Sequence, residues 1–532
     1  MMHAQLSAQE RRQMKQFKQI SMKRFAVALA AMIAVTPASG HVHPDWHTLI
    51  PSTASLNLSF ASSVTASDGT SYILSSISFI DDLGVHRINA DGTVGWFTRY
   101  AGPLEQDVPA SITLSWDEQF VYVLGRSSVP GFGDADYAII KYDANTGDEI
   151  WRRFVDGGDT GIDNPMDIAG TPDGGVVATG GFDTPNEQRD IGTVKLAADG
   201  NEVWRRYYTG QGPFLFENDD GDEIVVTPDG DVIVSGGAKA GSSSNDIFTI
   251  KYDGDDGSTI WENQYGTSAN ESVRELILAA DGDAIAFISG PFGLDRQWVV
   301  LRINGDTGIQ EWVTLVDPGQ DEFFGSITEG PDGVIYSTGA TDPDSDDSNN
   351  NENLITIAYD GTSGTVLWLN EFGEEGTGDS EFGATLRVGE DGNLYVFGYT
   401  NADAMTGQMF DTDALVLGFD TTSGSILTTS VLEFSEPTSE DGDVFYTSGI
   451  DDHGRVYAFG VGNSTELLAT RFSFGTVCGP DLTDDGVLDF FDVSMFINAF
   501  SAQEPIADFD GNGMFDFFDV SAYLNAFNAG CP

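Results

Sequence analysis

The stretch 164–210, NPMDIAGTPDGGVVATGGFDTPNEQRDIGTVKLAADGNEVWRRYYTG, holds one complete structural unit. NPMDIAGTPDG reads as a strand and a tight turn. GVVATGG reads as a second strand, DIGTVKLAADG as a third closed by another tight turn, and NEVWRRYYTG as a fourth. Alternating apolar residues broken by Asp-Gly turns predict antiparallel hairpins, because the glycine accepts the positive φ of a tight turn.

The unit recurs along the chain. A turn dipeptide precedes an apolar strand at Asp68-Gly69, Asp173-Gly174, Asp229-Gly230, Asp281-Gly282, Asp332-Gly333 and Asp391-Gly392, with variants at Asp117-Glu118 and His453-Gly454. A tryptophan marks the fourth strand at Trp96, Trp151, Trp204, Trp261, Trp312 and Trp368, spaced 51 to 57 residues apart. Leu427 takes the equivalent place in the next copy (SGSILTTSVL). Four short strands at a period near fifty predict a propeller blade rather than a sandwich. One tryptophan per blade at a fixed position reads as packing between blades.

The eighth copy ends before its tryptophan strand, and the missing strand stands at the other end of the chain. Trp46 lies 22 residues before Asp68, just as Trp151 lies 22 before Asp173. The segment around Trp46 is therefore expected to complete the last blade and close the ring, which removes the exposed sheet edges of an open array. The predicted fold class is all-β, an eight-bladed propeller over residues 41–475, with seven blades as runner-up.

The chain has 532 residues and 84 acidic against 24 basic side chains, a formal charge of −60. That sign and size exclude non-specific nucleic-acid binding, so no nucleic-acid partner is expected, and argue equally against docking on an anionic membrane surface. Hydrophobic residues at 40% and aromatics at 11% exclude a disordered chain. The apolar run Phe25–Val35 follows Met22-Lys23-Arg24 and precedes Ala38-Ser39-Gly40. This is the pattern of a secretory signal over residues 1–40, too short to span a bilayer. The mature chain is expected to be secreted, extracellular or at the cell surface, with the periplasm as alternative. No membrane span is expected. Cleavage after Gly40 brings the charge to −65, since residues 1–40 carry six basic groups and one acid.

The last 57 residues (476–532) form a separate module. DLTDDGVLDFFDVSMFINAF (481–500) and DFDGNGMFDFFDVSAYLNAF (508–527) repeat one another. Each opens with a twelve-residue calcium-loop pattern, in which alternate positions of a tight loop turn oxygens toward one hard cation. In the first loop the ligand positions are Asp481, Thr483, Asp485, Val487 through its carbonyl, Asp489 and Asp492. In the second they are Asp508, Asp510, Asn512, Met514 through its carbonyl, Asp516 and Asp519. Two Ca²⁺ ions are expected, with folding of the module coupled to their binding. An amphipathic helix follows each loop. Val493, Phe496, Ile497 and Phe500, and their counterparts Val520, Tyr523, Leu524 and Phe527, are expected to pack the two helices together. The two cysteines, Cys478 and Cys531, read as one disulfide in an exported chain, with two free thiols as the other reading.

Three family resemblances follow from these residues. The phrases YDANTGDEIW, YDGDDGSTIW, INGDTGIQEW and YDGTSGTVLW resemble the pyrroloquinoline quinone-type repeats of quinoprotein alcohol dehydrogenase-like propellers. DGNLYVFGYT and DGGVVATGG resemble the bacterial β-propeller repeat. The tail, a calcium loop plus one helix in duplicate between Cys478-Gly479-Pro480 and Gly530-Cys531-Pro532, resembles the GC-type dockerins. That resemblance implies a cohesin-like partner, contacted near loop positions 10 and 11. Here those are Phe490-Phe491 and Phe517-Phe518. It also implies that Cys478 and Cys531 tie the ends of the module together.

Catalytic motifs are absent: there is no HExxH, no GxSxG and no phosphate loop. His86 and His453 are expected in turns or at the surface. The adjacent cysteines of many quinone-dependent dehydrogenases are missing, and the residues of a quinone site do not map onto this chain. The expected function is that of a secreted, non-catalytic binding or scaffold propeller, anchored by a calcium-dependent dockerin-like domain. Its unknown ligand is expected on the face of the long loops, where binding residues concentrate. The alternative is an extracellular enzyme, quinone-dependent or carbohydrate-active, delivered by its dockerin. An enzyme needs convergent polar residues at the mouth of the channel, whereas a pure scaffold should line it with small or apolar groups.

Overall fold

The computed structural model describes residues 44–52, 58–77, 82–103, 106–128, 135–158, 161–184, 188–210, 219–239, 244–267, 270–290, 297–317, 322–342, 352–373, 380–401, 412–432, 434, 442–462, 466–474, 482, 488, 490–502, 507, 509, 515 and 517–529. Thirty-two strands form eight antiparallel four-stranded sheets. Blades 1 to 7 each take four consecutive strands, over residues 58–100, 107–155, 164–208, 220–265, 272–316, 322–372 and 381–432. Blade 8 takes Val444–Ile450, Val456–Gly462 and Glu466–Phe472, and its outer strand is Trp46–Ile50 from the other end of the chain. Trp46 pairs with Arg471 and Ile50 with Leu467, so the ring closes as the sequence predicts.

The turns explain why the sequence folds this way. Gly69, Gly174, Gly230, Gly282, Gly333, Gly392 and Gly454 all take positive φ after the first strand of their blades. Among the described residues, Glu118 of blade 2 alone takes that conformation without being a glycine, at φ 56°.

The blades are fastened by their tryptophans. Each indole Nε1 donates to a turn carbonyl of the next blade: Trp96 to Ala144 at 3.1 Å, Trp151 to Ala198 at 2.9 Å, Trp204 to Gly254 at 3.1 Å, Trp261 to Gly305 at 2.9 Å, Trp312 to Gly361 at 2.8 Å and Trp368 to Thr421 at 2.8 Å. Trp46 does the same from blade 8 to Ala90 of blade 1, at 3.1 Å. Each ring lies over a turn glycine of positive φ, such as Gly257 under Trp204, where a Cβ would come within 2.7 Å of the indole. A cation on the third strand often shares the carbonyl. Lys195 donates to Gly254 at 2.8 Å and Arg302 to Gly361 at 3.0 Å.

The blade 7 position differs from expectation. Pairing opposite Gly418 falls on Thr428, as pairing opposite Ala358 falls on Trp368, so Thr428 and not Leu427 is the counterpart of the tryptophans. The reason is topological. A tryptophan there would dock on the turn between the last two strands of blade 8, and those strands come from opposite ends of the chain.

His86 is a second correction. It lies in the strand Asp82–Ile88, 3% exposed, with Nε2 3.1 Å from the Ser75 hydroxyl and its ring against Phe97. Burial lowers its pKa to about 4, so it is a neutral core residue. His453 sits in an exposed turn as expected.

Beyond the propeller stand two helices, α1 (Phe490–Ala502) and α2 (Phe517–Ala529). Phe496 and Tyr523 stack at 4.0 Å between ring centroids in a small core with Val493, Phe500, Val520 and Phe527. Ile497 and Leu524, expected in that core, are instead 55% and 45% exposed, because the helix–helix contact is narrower than the apolar stripe. Among the described residues no helix is long and apolar enough to cross a membrane.

Candidate functional site

The first strand of every blade is the innermost, and these strands neighbour one another around the axis, from blade 1 round to blade 8 and back. Each pairs with the second strand through a register shift at the same place. The shift is a β-bulge, which turns one extra side chain out of the ladder and into the channel. In blades 1, 2, 6 and 7 the bulge carries small residues: Ala61, Ala110, Gly325 with Ser326, and Ala384. In blades 3, 4, 5 and 8 it carries Met166, Asp222, Arg274 and Tyr446. Tyr446 is 49% and Met166 37% exposed, and Arg274 is exposed, so these side chains meet solvent in the channel.

Residues just past the bulge stitch neighbouring blades. The Asp167 carboxylate accepts from the Ser111 hydroxyl at 2.8 Å and from the Ile224 amide at 3.1 Å. Glu275 accepts from the Ile327 amide at 2.7 Å. Arg387 donates to the Ser448 carbonyl at 2.7 Å, and the Thr385 and Ser448 hydroxyls are 2.7 Å apart. These contacts satisfy amides and carbonyls that the bulges free from the ladder.

The electrostatics of the arc from blade 3 to blade 5 follow from crowding. Burial pushes Asp222 up to about 7, Asp220 beside it pushes the same way, and the Arg274 guanidinium opposes both. Burial also raises Asp167, Glu223 and Glu275, the last against the pull of Arg387. Arg274 makes no hydrogen bond or ion pair among the described residues, and its guanidinium lies 5.8 Å from the centroid of the Phe324 ring. The arrangement offers acceptors, donors and aromatic faces across one open channel.

A second acidic cluster lies at the boundary of blades 2 and 3. Asp136, Asp156 and Asp163 bring carboxylate oxygens within 4.8 Å of one another. Asp163 accepts from the Gly157 amide at 2.7 Å and the Asp183 amide at 2.8 Å. Burial pushes it up to about 7 despite those bonds, with Asp136 adding to the rise.

In the C-terminal module, Asp492 and Asp519 occupy the same place in the first turns of α1 and α2, and both are wholly buried. Phe490 and Phe517 are 76% and 75% exposed, again as a symmetric pair. Asp481, Thr483, Asp485, Val487, Asp489, Asp508, Asp510, Asn512, Met514 and Asp516 lie outside the described residues, as do Cys478 and Cys531. So do the side chains of Phe491 and Phe518 and most of the long-loop face.

The channel residues were not singled out from the sequence. The signal was present as charged residues inside apolar strands, Asp222-Glu223 and Arg274-Glu275. Reading it requires the bulge, since strict alternation misassigns which of each pair faces the axis.

Residues 190–469 match the family model described as outer membrane protein assembly factor BamB. Among solved structures, a europium-containing methanol dehydrogenase is 11% identical, with 81% of this chain and 93% of that one covered and a TM-score of 0.50. The quinohemoprotein alcohol dehydrogenase from Comamonas testosteroni is 13% identical, with 80% and 76% covered and a TM-score of 0.48. The C-terminal WD40 domain of Sif2 is 10% identical, with 80% and 99% covered and a TM-score of 0.48. No curated protein matches the chain. The methanol dehydrogenase shares the fold, and at that identity shows no more than the fold.

Proposed function

We infer the role of this chain from one premise: it belongs to the family described as outer membrane protein assembly factor BamB, a family of propellers with pyrroloquinoline quinone-like repeats. We propose that it is a secreted, non-catalytic binding propeller that takes a ligand in its central channel. Its calcium-dependent, dockerin-like tail holds it in an extracellular or cell-surface assembly through a cohesin-like partner. The observation that carries the reading is the bulge ring: eight equivalent positions hold small residues at four blades and Met166, Asp222, Arg274 and Tyr446 at the others. Inter-blade packing alone does not call for that difference.

For calcium, the donor chemistry fits. Asp492 and Asp519 stand at position 12 of the two loops, buried and in the first turns of their helices. A buried carboxylate suits a cation ligand there, and the positive end of the helix adds to its stabilisation. Bound Ca²⁺ would supply the charge that lets the loop acids of each repeat converge. Limited proteolysis of the full chain tests this. In calcium the tail resists cleavage, and after chelation residues 476–532 are cut while the propeller survives. Identical cleavage in both conditions refutes calcium-dependent folding, as does an Asp492→Asn/Asp519→Asn variant that resists cleavage after chelation.

A quinone cofactor does not fit this channel. Pyrroloquinoline quinone is a polycarboxylate, and the described inner strands carry nine acids, among them Asp167, Asp220, Asp222, Glu223 and Glu275, against two cations, Arg274 and Arg387. Arg387 is already engaged with the Ser448 and Leu386 carbonyls. That leaves Arg274 alone to pair with the carboxylates of the quinone, too little positive charge for an anion of that kind.

The enzyme reading is favoured by one feature, an Asp222 carboxyl that titrates near neutrality beside Glu223. After reconstitution with the quinone, dye-linked alcohol oxidation is expected to be nil. Turnover abolished by Asp222→Asn would establish the enzyme instead.

A further inference from the structure

Resting on the channel as the ligand site, we propose that its occupant is a neutral saccharide, held between Tyr446 on one wall and the Asp222–Arg274 pair on the other. Blade 8 lies opposite blade 4 in a ring of eight, so Tyr446 and Asp222 face one another across the axis. Arg274 follows Asp222 on the next blade, and Met166 precedes it. At the described bulge positions, the quadrants between these walls hold Ala61 and Ala110 on one side and Gly325, Ser326 and Ala384 on the other. The result is a slot rather than a round pore.

The chemistry of its walls selects the class. A sugar ring has apolar C–H faces and a rim of hydroxyls that both donate and accept. Tyr446, backed by the Phe60 ring at 5.8 Å, offers an aromatic face for the C–H side. Arg274 offers donors that no other described group occupies, with its plane supported by Phe324. Asp222 is half-buried beside Arg274, its carboxyl already accepting from the Gly237 and Val273 amides, so it adds its remaining acceptor capacity and its pull on the guanidinium. An acidic sugar or another anion meets one exposed guanidinium, Arg274, against a chain charge of −60. A simple cation does not need Tyr446 and is opposed by Arg274.

The test is calorimetric titration of the purified full chain with cello-, xylo- and maltotriose, and with trigalacturonate as an anionic control. At least one neutral trisaccharide is expected to bind. Tyr446→Ala and Arg274→Ala are each expected to weaken it at least tenfold, and Ala384→Trp, which fills the slot, to abolish it. His453→Ala, on an exposed turn, is expected to leave affinity unchanged. Circular dichroism and melting establish that each variant is folded. If no neutral trisaccharide binds, or if binding survives Tyr446→Ala and Arg274→Ala, the saccharide proposal falls. If trigalacturonate alone binds and Ala384→Trp removes it, the saccharide class is wrong while the channel remains the site. If Ala384→Trp leaves binding intact, the channel reading itself falls.

Discussion

The ring of Phe474 lies on the ring of Tyr395, with centroids 3.4 Å apart and planes 12° from parallel. In blades 1, 2, 6 and 8 the corresponding tyrosines, Tyr72, Tyr122, Tyr336 and Tyr457, lie against the tryptophan of their own blade. Blade 7 has Thr428 in that place, and the chain just beyond the third strand of blade 8 supplies Phe474 instead. The seam where the chain ends meet is thus fastened in the reverse direction, from blade 8 back to blade 7.

That reversal makes Phe474 a closure residue. It is 6% exposed, and Phe474→Ala is expected to destabilise the propeller by about 3–5 kcal/mol, the range for a buried phenylalanine. Trp46→Ala, which opens the other side of blade 8, is expected to cost about the same. Denaturant titration measures both. Unfolding midpoints equal to wild type would show that blade 8 does not hold the ring.

The tryptophan clasp separates into area and hydrogen bond. Trp204→Phe keeps most of the ring but loses the bond to the Gly254 carbonyl, a loss of about 1 kcal/mol. Gly257→Ala places a Cβ within 2.7 Å of the indole at a residue with φ 71°. Strain and clash act together, so it is expected to destabilise more than Trp204→Phe. The reverse order in thermal melts would contradict the clasp.

Glu118 holds a conformation that glycine holds in the other seven blades, at a cost of about 1–2 kcal/mol. Its carboxylate accepts from the Ser67 amide at 2.9 Å and the Ser67 hydroxyl at 2.7 Å, across the seam from blade 1. Glu118→Ala keeps the strain and loses both bonds, whereas Glu118→Gly loses the bonds but relieves the strain. The expected order of stability is wild type, then Glu118→Gly, then Glu118→Ala, read from denaturant midpoints. Equal stability of the two variants would show that the backbone is not strained.

The buried acids predict an unusual pH dependence. Burial lifts Asp163 from 3.8 to about 7 and Glu271 from 4.5 to about 6. The folded state binds these protons more tightly than the unfolded state does. Their contribution is therefore complete below about pH 4 and is lost as pH rises through 6 and 7. Melting temperature at fixed calcium and ionic strength is expected to fall over that window. Asp163→Asn is expected to flatten the slope, whatever it does to the absolute stability. A variant with the wild-type slope would remove Asp163 from the account.

Much of the fold was legible because its signals are local. Turn glycines such as Gly174 and Gly230, the alternation around them and the tryptophan at the fourth strand are properties of a few adjacent residues. Closure by Trp46 was legible as well, since the missing strand was simply displaced to the other end. The Leu427 assignment failed by one residue because register there rests on the pairing with Gly418, and no tryptophan marks it. Ile497 and Leu524 failed because periodicity shows which face of a helix is apolar, not how much of it a partner covers.

The sequence by itself determined a closed ring of blades with its acidic charge, and a duplicated segment before each of the two tail helices, because strand period, turn chemistry and repeat length are written in short windows. The tertiary structure decided which residues meet. It turned Asp222, Arg274 and Tyr446 into one channel by a bulge that alternation does not reveal, and gathered Asp136 from a strand with Asp156 and Asp163 from the connection between blades 2 and 3. It also put Phe474 where a tryptophan would have stood. Each of these depends on register and on contacts between residues far apart in the chain, which are set only once the ring is closed.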